Sequence, residues 1–598
     1  MSLSIPPLRT RPRLGPLDAV GVAPVGRAVD GGGHRGDDAS GDERLVLLER
    51  CAWSLVWLGA LVGGCALWGS WWSWPVADVL APALVAASLA GLCVCWCSAS
   101  PRAAWHQGAA MAAGLVAVVL PQAIDIHNRR YYASDSAALD HVAARVLVSG
   151  HDPYTSSLAA AALFFKTPTD FWTYLVTGGH VMAVSYPAGS FLVYAPALAL
   201  GFHHAVVDWV DLFAWLAGAV ILFLLLPRYL RWLGALVAMT GFFLGLFTNG
   251  GTDAAFIPFA MIAVWRWDRY GQGKAAGVAR WIGPVALGLA CSIKQTPWFC
   301  VPFLVAGIAI EARRSGRDPM RVVARYLGTV AVVFGAVNLP FIAWGASAWW
   351  HGTMTPITEP LVADGQGVVS LALHGLTGGV DLRLLMDASA LALVAVVVAF
   401  CAWYEALKRI WLLLLPVAFF FSPRSFSSYL VDLFPVALVA IVTTAPAVAS
   451  AGRRRVGRLP VVRAAAVGLA GATGVLAALS FTGAPLALTY RAASTGPAGL
   501  HLYSVTVAVT NRTGAALEPR FMVDVGADHP TGFWTTAHHR PVVLGPHATA
   551  TVTLYPPAPT FLPQSASDYV VDAYTAAPQA LSTTADIWRN AAPAHLRR

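Results

Sequence analysis

Apolar runs of about 20 residues recur along most of the chain, and short charged or Pro/Gly-bearing segments separate them. That length spans the hydrocarbon core of a bilayer as a helix. The runs fall at about 45–70, 77–97, 103–126, 206–226, 230–248, 252–267, 281–294, 297–311, 322–345, 386–404, 409–422, 426–446 and 461–482. They predict a mostly α polytopic bundle of about 12–13 transmembrane spans over residues 45–483. A further run at 187–201 is short and begins Tyr186-Pro187, which fits a re-entrant or interfacial helix better than a span. Residues 1–44 are rich in Pro, Gly, Arg and Asp without apolar period and read as a disordered cytoplasmic tail, not a signal peptide. From 484 the period shortens to two. HLYSVTVAVTNRTG, PRFMVDVG and HATATVTLYPP alternate apolar and polar positions between turn residues, predicting a β-sandwich over 484–598.

Composition agrees. The chain is 57% hydrophobic and 12% charged, where a soluble protein carries about a quarter charged residues. Its net charge of +9 does not signal nucleic acid, because the Arg residues cluster beside the ends of apolar runs. Placing the clusters 227–231, 266–274, 311–317, 405–409 and 453–458 inside leaves three parts outside: loops 127–186 and 346–385, and the C-terminal domain. All eight Cys lie in apolar runs, so the exported parts hold no disulfide. Cys93, Cys95 and Cys97 lack the spacer of metal or redox pairs, and no metal or other cofactor is expected. Thirty-six Arg against four Lys, with abundant Ala, point to a high-GC bacterium and its plasma membrane.

The stretch least like its surroundings is DSAALDHVAARVLVSGHDPY, Asp135 to Tyr154. Its pattern predicts a short helix that starts at a carboxylate and stops where Gly150 turns left-handed and Pro153 forbids resumption. Asp135 and Asp140 are candidate bases, with Asp125 a third; an Asp at a helix start can also simply cap it. An exposed Asp, with pKa about 3.9, is ionised at neutral pH. Arg129, Arg130 and His151 supply cations in the same loop. Lys294 sits in the break SIKQTP, either ready for a phosphate or snorkelling to headgroups. Arg424 in SPRSFSSY suits a lipid phosphate, and Asp432 one turn into the next span is a structural partner for it. Asp253 starts a span that it either caps or equips for substrate. Nucleotide-binding and zinc-protease motifs are missing. Carboxylates plus cations at a membrane face suit group transfer from a lipid phosphate, the cations holding the leaving phosphate and a carboxylate taking a proton.

These motifs resemble those of C-type (GT-C) membrane glycosyltransferases, and most of all glycosyltransferase family 87, the polyprenol-phosphate-mannose-dependent mannosyltransferases. The central segment resembles the family's first external loop. YPAGSFLVYAPALAL at 186–200, GLACSIKQTPWFCVPFL at 288–304 and SPRSFSSYLVDLFP at 422–435 come next, in the family's order. The resemblance covers roughly 125–450 and implies an inverting, metal-independent transfer with Asp135 as general base and Asp140 as fallback. It implies a polyprenyl-phosphate-linked sugar, mannose first, as donor and an envelope glycan or glycolipid as acceptor. Lys294, Arg424, Arg129, Arg130 and His151 would hold the donor phosphate; Tyr154, Tyr186 and Asp253 would contact substrate. The chain departs at Ala188, where a second Pro is common, and in its first two spans and its C-terminal domain.

Two other classes stand beside this one. A transporter or flippase of lipid-linked sugars would favour inverted repeats and mid-membrane charges, and no repeat is visible. A structural envelope protein would use its β domain to bind a partner. In that domain Trp534 and Tyr503 are stacking candidates for glycan or, more simply, core residues. The Asn511-Arg-Thr sequon reads as a turn.

Overall fold

The structure is a computed structural model that describes residues 37–70, 75–97, 102–129, 131–240, 253–272, 279–446, 459–495, 502–525, 529–557 and 569–584. Two units divide the chain, Met1–Leu48 and Glu49–Arg598. The first contains the start of helix α1 (Asp37–Ser70), which begins inside the tail expected to be disordered; residues 1–36 of that tail lie outside the described residues. The second unit holds all the other elements.

Among the described residues, seven helices are long and apolar enough to cross a membrane, the architecture of a multi-pass membrane protein. They include α1, α2 (Pro75–Cys97), α3 (Ala104–Asn128), Val206–Leu225, Pro319–Thr358, Leu382–Ala402 and Leu459–Ser480. Seven is fewer than the 12–13 spans expected from the sequence, counted over the described residues alone. The remaining apolar runs give shorter helices, two of them carrying a Pro inside the helix, Pro258 and Pro284. The 252–267 run gives Asp253–Val264, and 281–294 gives Ala279–Ile293. The 297–311 run becomes a 3-10 turn, Thr296–Cys300, joined to Val301–Arg314. The last two apolar runs before 447 are also broken, as Leu415–Phe420 and Phe434–Thr443 show. The 230–248 run yields Arg231–Met239, and 241–252 lies outside the described residues. The 187–201 run forms two helices of 4 and 5 residues, too short to cross, as its sequence predicts.

The loop expected at 346–385 starts later than its sequence suggests, since the helix Pro319–Thr358 continues past a bend at Gly345. The remainder of that loop carries two short strands, β1 (Asp364–Gly365) and β2 (Gly379–Asp381). β1 pairs in parallel with β3 (Arg424–Ser425). The C-terminal region is β-rich, with β4 (Leu486–Thr495), β5 (Leu502–Asn511), β6 (Arg520–Val525), β7 (His529–Trp534), β8 (Thr549–Leu554), β9 (Tyr569–Ala576) and β10 (Gln579–Thr583). One sheet runs β4-β5-β8 and the other β2-β10-β9-β6-β7. Inward residues of both, including Val505, Val507, Val523, Leu554 and Val571, fill one core. Trp534 belongs to that core, whereas Tyr503 is exposed. Asn511 is buried, and its amide donates to the carbonyls of Ala515, Leu544 and Gly545, so the sequon is a turn.

The C-terminal region is built into the loop face. β10 extends its sheet onto β2 of the loop, pairing Leu581 with Val380. Tyr574, Leu581 and Met522 pack with Tyr174, Val362 and Leu385 in a separate apolar cluster. Each such fully buried side chain contributes about 1.5–3 kcal/mol. Gly379 makes the seam possible: its φ is +136°, and a Cβ there would lie 2.2 Å from the Leu581 carbonyl oxygen. Gly379→Ala should therefore weaken the docking by about 1–3 kcal/mol. The expected readout is faster proteolytic release of the C-terminal region at an unchanged helical signal; a protease-resistance profile identical to wild type would contradict this seam.

Candidate active site

The central segment folds as its sequence predicts. Helix α4 (Asp135–Val148) takes its N-cap from Ser134, whose hydroxyl accepts from the Ala137 N–H. The helix ends with Gly150 at φ +82°. The Gly150 N–H donates to Leu147 O and the His151 N–H to Val146 O, which satisfies the last carbonyls of the helix. Asp152 then folds a tight turn by accepting from the Tyr154 N–H. The Tyr154 hydroxyl donates to Tyr186 O at 2.7 Å. Asp152-Pro-Tyr154 is thus a staple that fixes Tyr186 from behind.

Because Ser134 caps the helix, Asp135 is released from that duty. Its Oδ2 instead accepts from the Thr173 N–H at 2.6 Å, tying α4 to the middle of the 127–186 loop. Asp135 lines a cavity of about 1020 Å³ that Asp140, Asp253, Lys294, Arg424 and Tyr186 also line, whereas Tyr154 stands outside it. The same cavity continues to Met386, Ala390 and Leu393 of the helix Leu382–Ala402 and to Ala418 and Phe419, so one space joins charged and apolar walls. Asp135 is not the exposed carboxylate expected. Burial raises its pKa, opposed by the Thr173 N–H and hydroxyl and by the Arg424 charge. Asp140 accepts from the Ser190 hydroxyl at 3.0 Å, while its Oδ2 has no protein partner among the described residues. Burial pushes Asp140 up to about 7, with Ser190 and Lys294 pulling it down and Asp135 adding to the rise.

The cations divide sharply. Lys294 is not free: its Nζ donates to both oxygens of Asp253, at 2.6 and 2.7 Å, and lies 5.4 and 5.6 Å from the ring centres of Tyr186 and Tyr429. Asp253 is therefore a buried counter-ion. Asp432, expected beside Arg424, instead acts electrostatically on this pair. Arg129 lines the cavity but pairs with Asp125 and, at 3.6 Å, with Asp208. That occupies the third candidate base as well. His151 is exposed and does not line the cavity. Arg130 lies outside the described residues. Arg424 remains. Its guanidinium sits 4.9 Å from the Phe426 ring and makes one long hydrogen bond, 3.5 Å to Val362 O. Among the described residues no carboxylate forms an ion pair with it.

Sequence reasoning missed Thr173, Ser190, Tyr429 and Gln295. Gln295 donates to Ser185 O and Thr353 O, anchoring the SIKQTP break to two other segments. No local pattern announces such residues, because each lies 38 or more positions from the partner it meets here. The Ala188 departure does have a physical reason: its N–H donates to Asn338 Oδ1 at 3.0 Å, which Pro could not do. Comparison of the chain with protein-family models, curated proteins and solved structures gave no match.

The arrangement offers a base held by a backbone donor, an unpaired guanidinium within electrostatic reach of it, and an apolar channel leading away. A paired Lys294 makes a specific expectation. Lys294→Met should destabilise the protein by about 3–5 kcal/mol by stranding Asp253, while Lys294→Met with Asp253→Leu should recover most of it. Thermal unfolding in detergent measures both. Recovery absent in the double variant would mean that the two side chains do not act as a pair.

Proposed function

We propose that the chain is a membrane glycosyltransferase of the C type, similar to family 87. In this reading it transfers a sugar, mannose first, from a polyprenyl phosphate to a hydroxyl of an envelope glycan or glycolipid. The observation that supports this is the shared cavity, with Asp135 and the unpaired Arg424 at one part and Met386, Leu393 and Phe419 at another. A polyprenyl-phosphate sugar has that division of chemistry, a charged head on an apolar chain.

In this reading the acceptor oxygen attacks the anomeric carbon from the face opposite the phosphate, and the anomeric carbon–oxygen bond to phosphate breaks. Asp135 accepts the hydroxyl proton and later sheds it to water. The electron pair leaves on the lipid phosphate, where Arg424 meets the growing charge. Asp140, its pKa raised to about 7 by burial, stays a positioning group beside the base. The loop face lies outside the plasma membrane of a bacterium, the N-terminus lies in the cytoplasm, and the two C-terminal sheets form an extracytoplasmic sandwich.

The test is transfer of labelled sugar from polyprenyl phosphate-mannose, with a panel of other sugars beside it, to an envelope-lipid extract. Asp135→Asn should lower kcat by about 10²–10⁴ with donor binding retained. Arg424→Ala should raise the donor KM and lower kcat, by about tenfold or more in kcat/KM. The acid limb of the wild-type rate should lie above the ordinary aspartate value near 4, because the base is lost as pH falls through a raised pKa. Full activity in Asp135→Asn would remove it as base. Movement of lipid-linked sugar across vesicles without any glycosidic product would replace this reading with transport.

A further inference from the structure

Asp135 is gripped by the backbone of Thr173, and the two residues before Thr173 are aromatic. Phe171 and Trp172 both line the cavity. Phe171 is 40% exposed and shares the lining with charged groups. Trp172 is fixed in place: its Nε1 donates to Thr167 O at 3.1 Å, and its ring lies 4.2 Å from that of His180. A ring held this way loses little freedom when a ligand lies against it. Gln579, at the start of β10, also lines the cavity, so the C-terminal region supplies a residue to the site. Its side-chain amide makes no hydrogen bond among the described residues. Glu359 contributes an exposed carboxylate to the same lining.

We infer that Phe171, Trp172, Gln579 and Glu359 form the subsite for the acceptor, and that the acceptor is a saccharide. The inference rests on the transferase reading for the word acceptor, but its chemistry stands on the residues. A sugar ring presents C–H groups to an aromatic face and hydroxyls at its edge, and those hydroxyls need a donor and an acceptor together. Trp172 with Phe171 supplies the first; the Gln579 amide and Glu359 carboxylate supply the second. The base must touch the acceptor hydroxyl, and the Asp135–Thr173 hydrogen bond holds this shelf in register with the base. The apolar wall of the cavity belongs to other elements, Leu382–Ala402 and Leu415–Phe420, which leaves the shelf free when a lipid chain lies there. The C-terminal region is then a working part of the site, docked through β2 and β10 so that Gln579 reaches the cavity.

The experiment uses the full chain in nanodiscs and saturation-transfer NMR with a mannose trisaccharide, a serine/threonine peptide serving as the other arm. The trisaccharide should show transfer in wild type. Trp172→Ala and Gln579→Ala should each weaken it by about tenfold, and Trp172→Phe should restore most of it. Gln579→Ala guards against misfolding, since that amide holds no other described group. Saccharide signals unchanged in both alanine variants, or signals from the peptide alone, would overturn the subsite. Acceptor kinetics separate the two claims. Shelf-dependent saccharide binding without turnover of any polyprenyl-phosphate sugar would keep the shelf and remove the transferase. Turnover with an unaltered acceptor KM in Trp172→Ala and Gln579→Ala would remove the shelf and keep the transferase.

Discussion

An ammonium buried in an apolar bundle must be compensated, and the Lys294–Asp253 pair is where this molecule meets that demand. The pair joins the first residue of the helix Asp253–Val264 to the break after Ala279–Ile293. Tyr186 and Tyr429 close over it from two further segments. Four stretches far apart in sequence therefore meet at one charge. The loop holding Asp135 is fixed to the same point, because the Tyr154 hydroxyl holds Tyr186 and Gln295 holds Ser185. Lys294 is best understood as a keystone of the cavity lining, and this leaves Arg424 as the lining cation without an ion pair among the described residues.

A second constraint acts from the opposite side. The cavity is bounded by the 127–186 loop, by the stretch after the helix Pro319–Thr358 and by Gln579 of the β-rich region. The stretch after that helix has no long regular structure of its own. β1 borrows β3, and β2 borrows β10. Tyr174, Val362 and Leu385 share an apolar cluster with Met522, Tyr574 and Leu581. Removing the β-rich region would thus expose one edge of the site and unpair β2.

Local chemistry was legible in the sequence, and distant pairing was not. The helix at 135–148, the left-handed stop at Gly150 and the failure of 187–201 to cross are set by residues within one or two turns. The apolar runs announced a membrane bundle, but average hydropathy did not tell which runs form one long helix and which form shorter ones. Five of the site residues named from sequence besides Asp135 and Asp140 do line the cavity: Arg129, Tyr186, Asp253, Lys294 and Arg424. Their electrical state was invisible. Whether Lys294 or Arg129 is free depends on Asp253, Asp125 and Asp208, and position alone cannot report a partner 41 or 79 residues away.

The most direct test is a structure of the full chain in nanodiscs with a non-hydrolysable polyprenyl phosphonate sugar. The phosphonate should sit at the Arg424 guanidinium with the prenyl chain along Met386, Leu393 and Phe419, the sugar carbon facing Asp135, and the Lys294–Asp253 pair intact. A phosphonate bound to Lys294 with Asp253 displaced would contradict the division of the cations, and a lipid bound outside this cavity would contradict the proposed transfer itself.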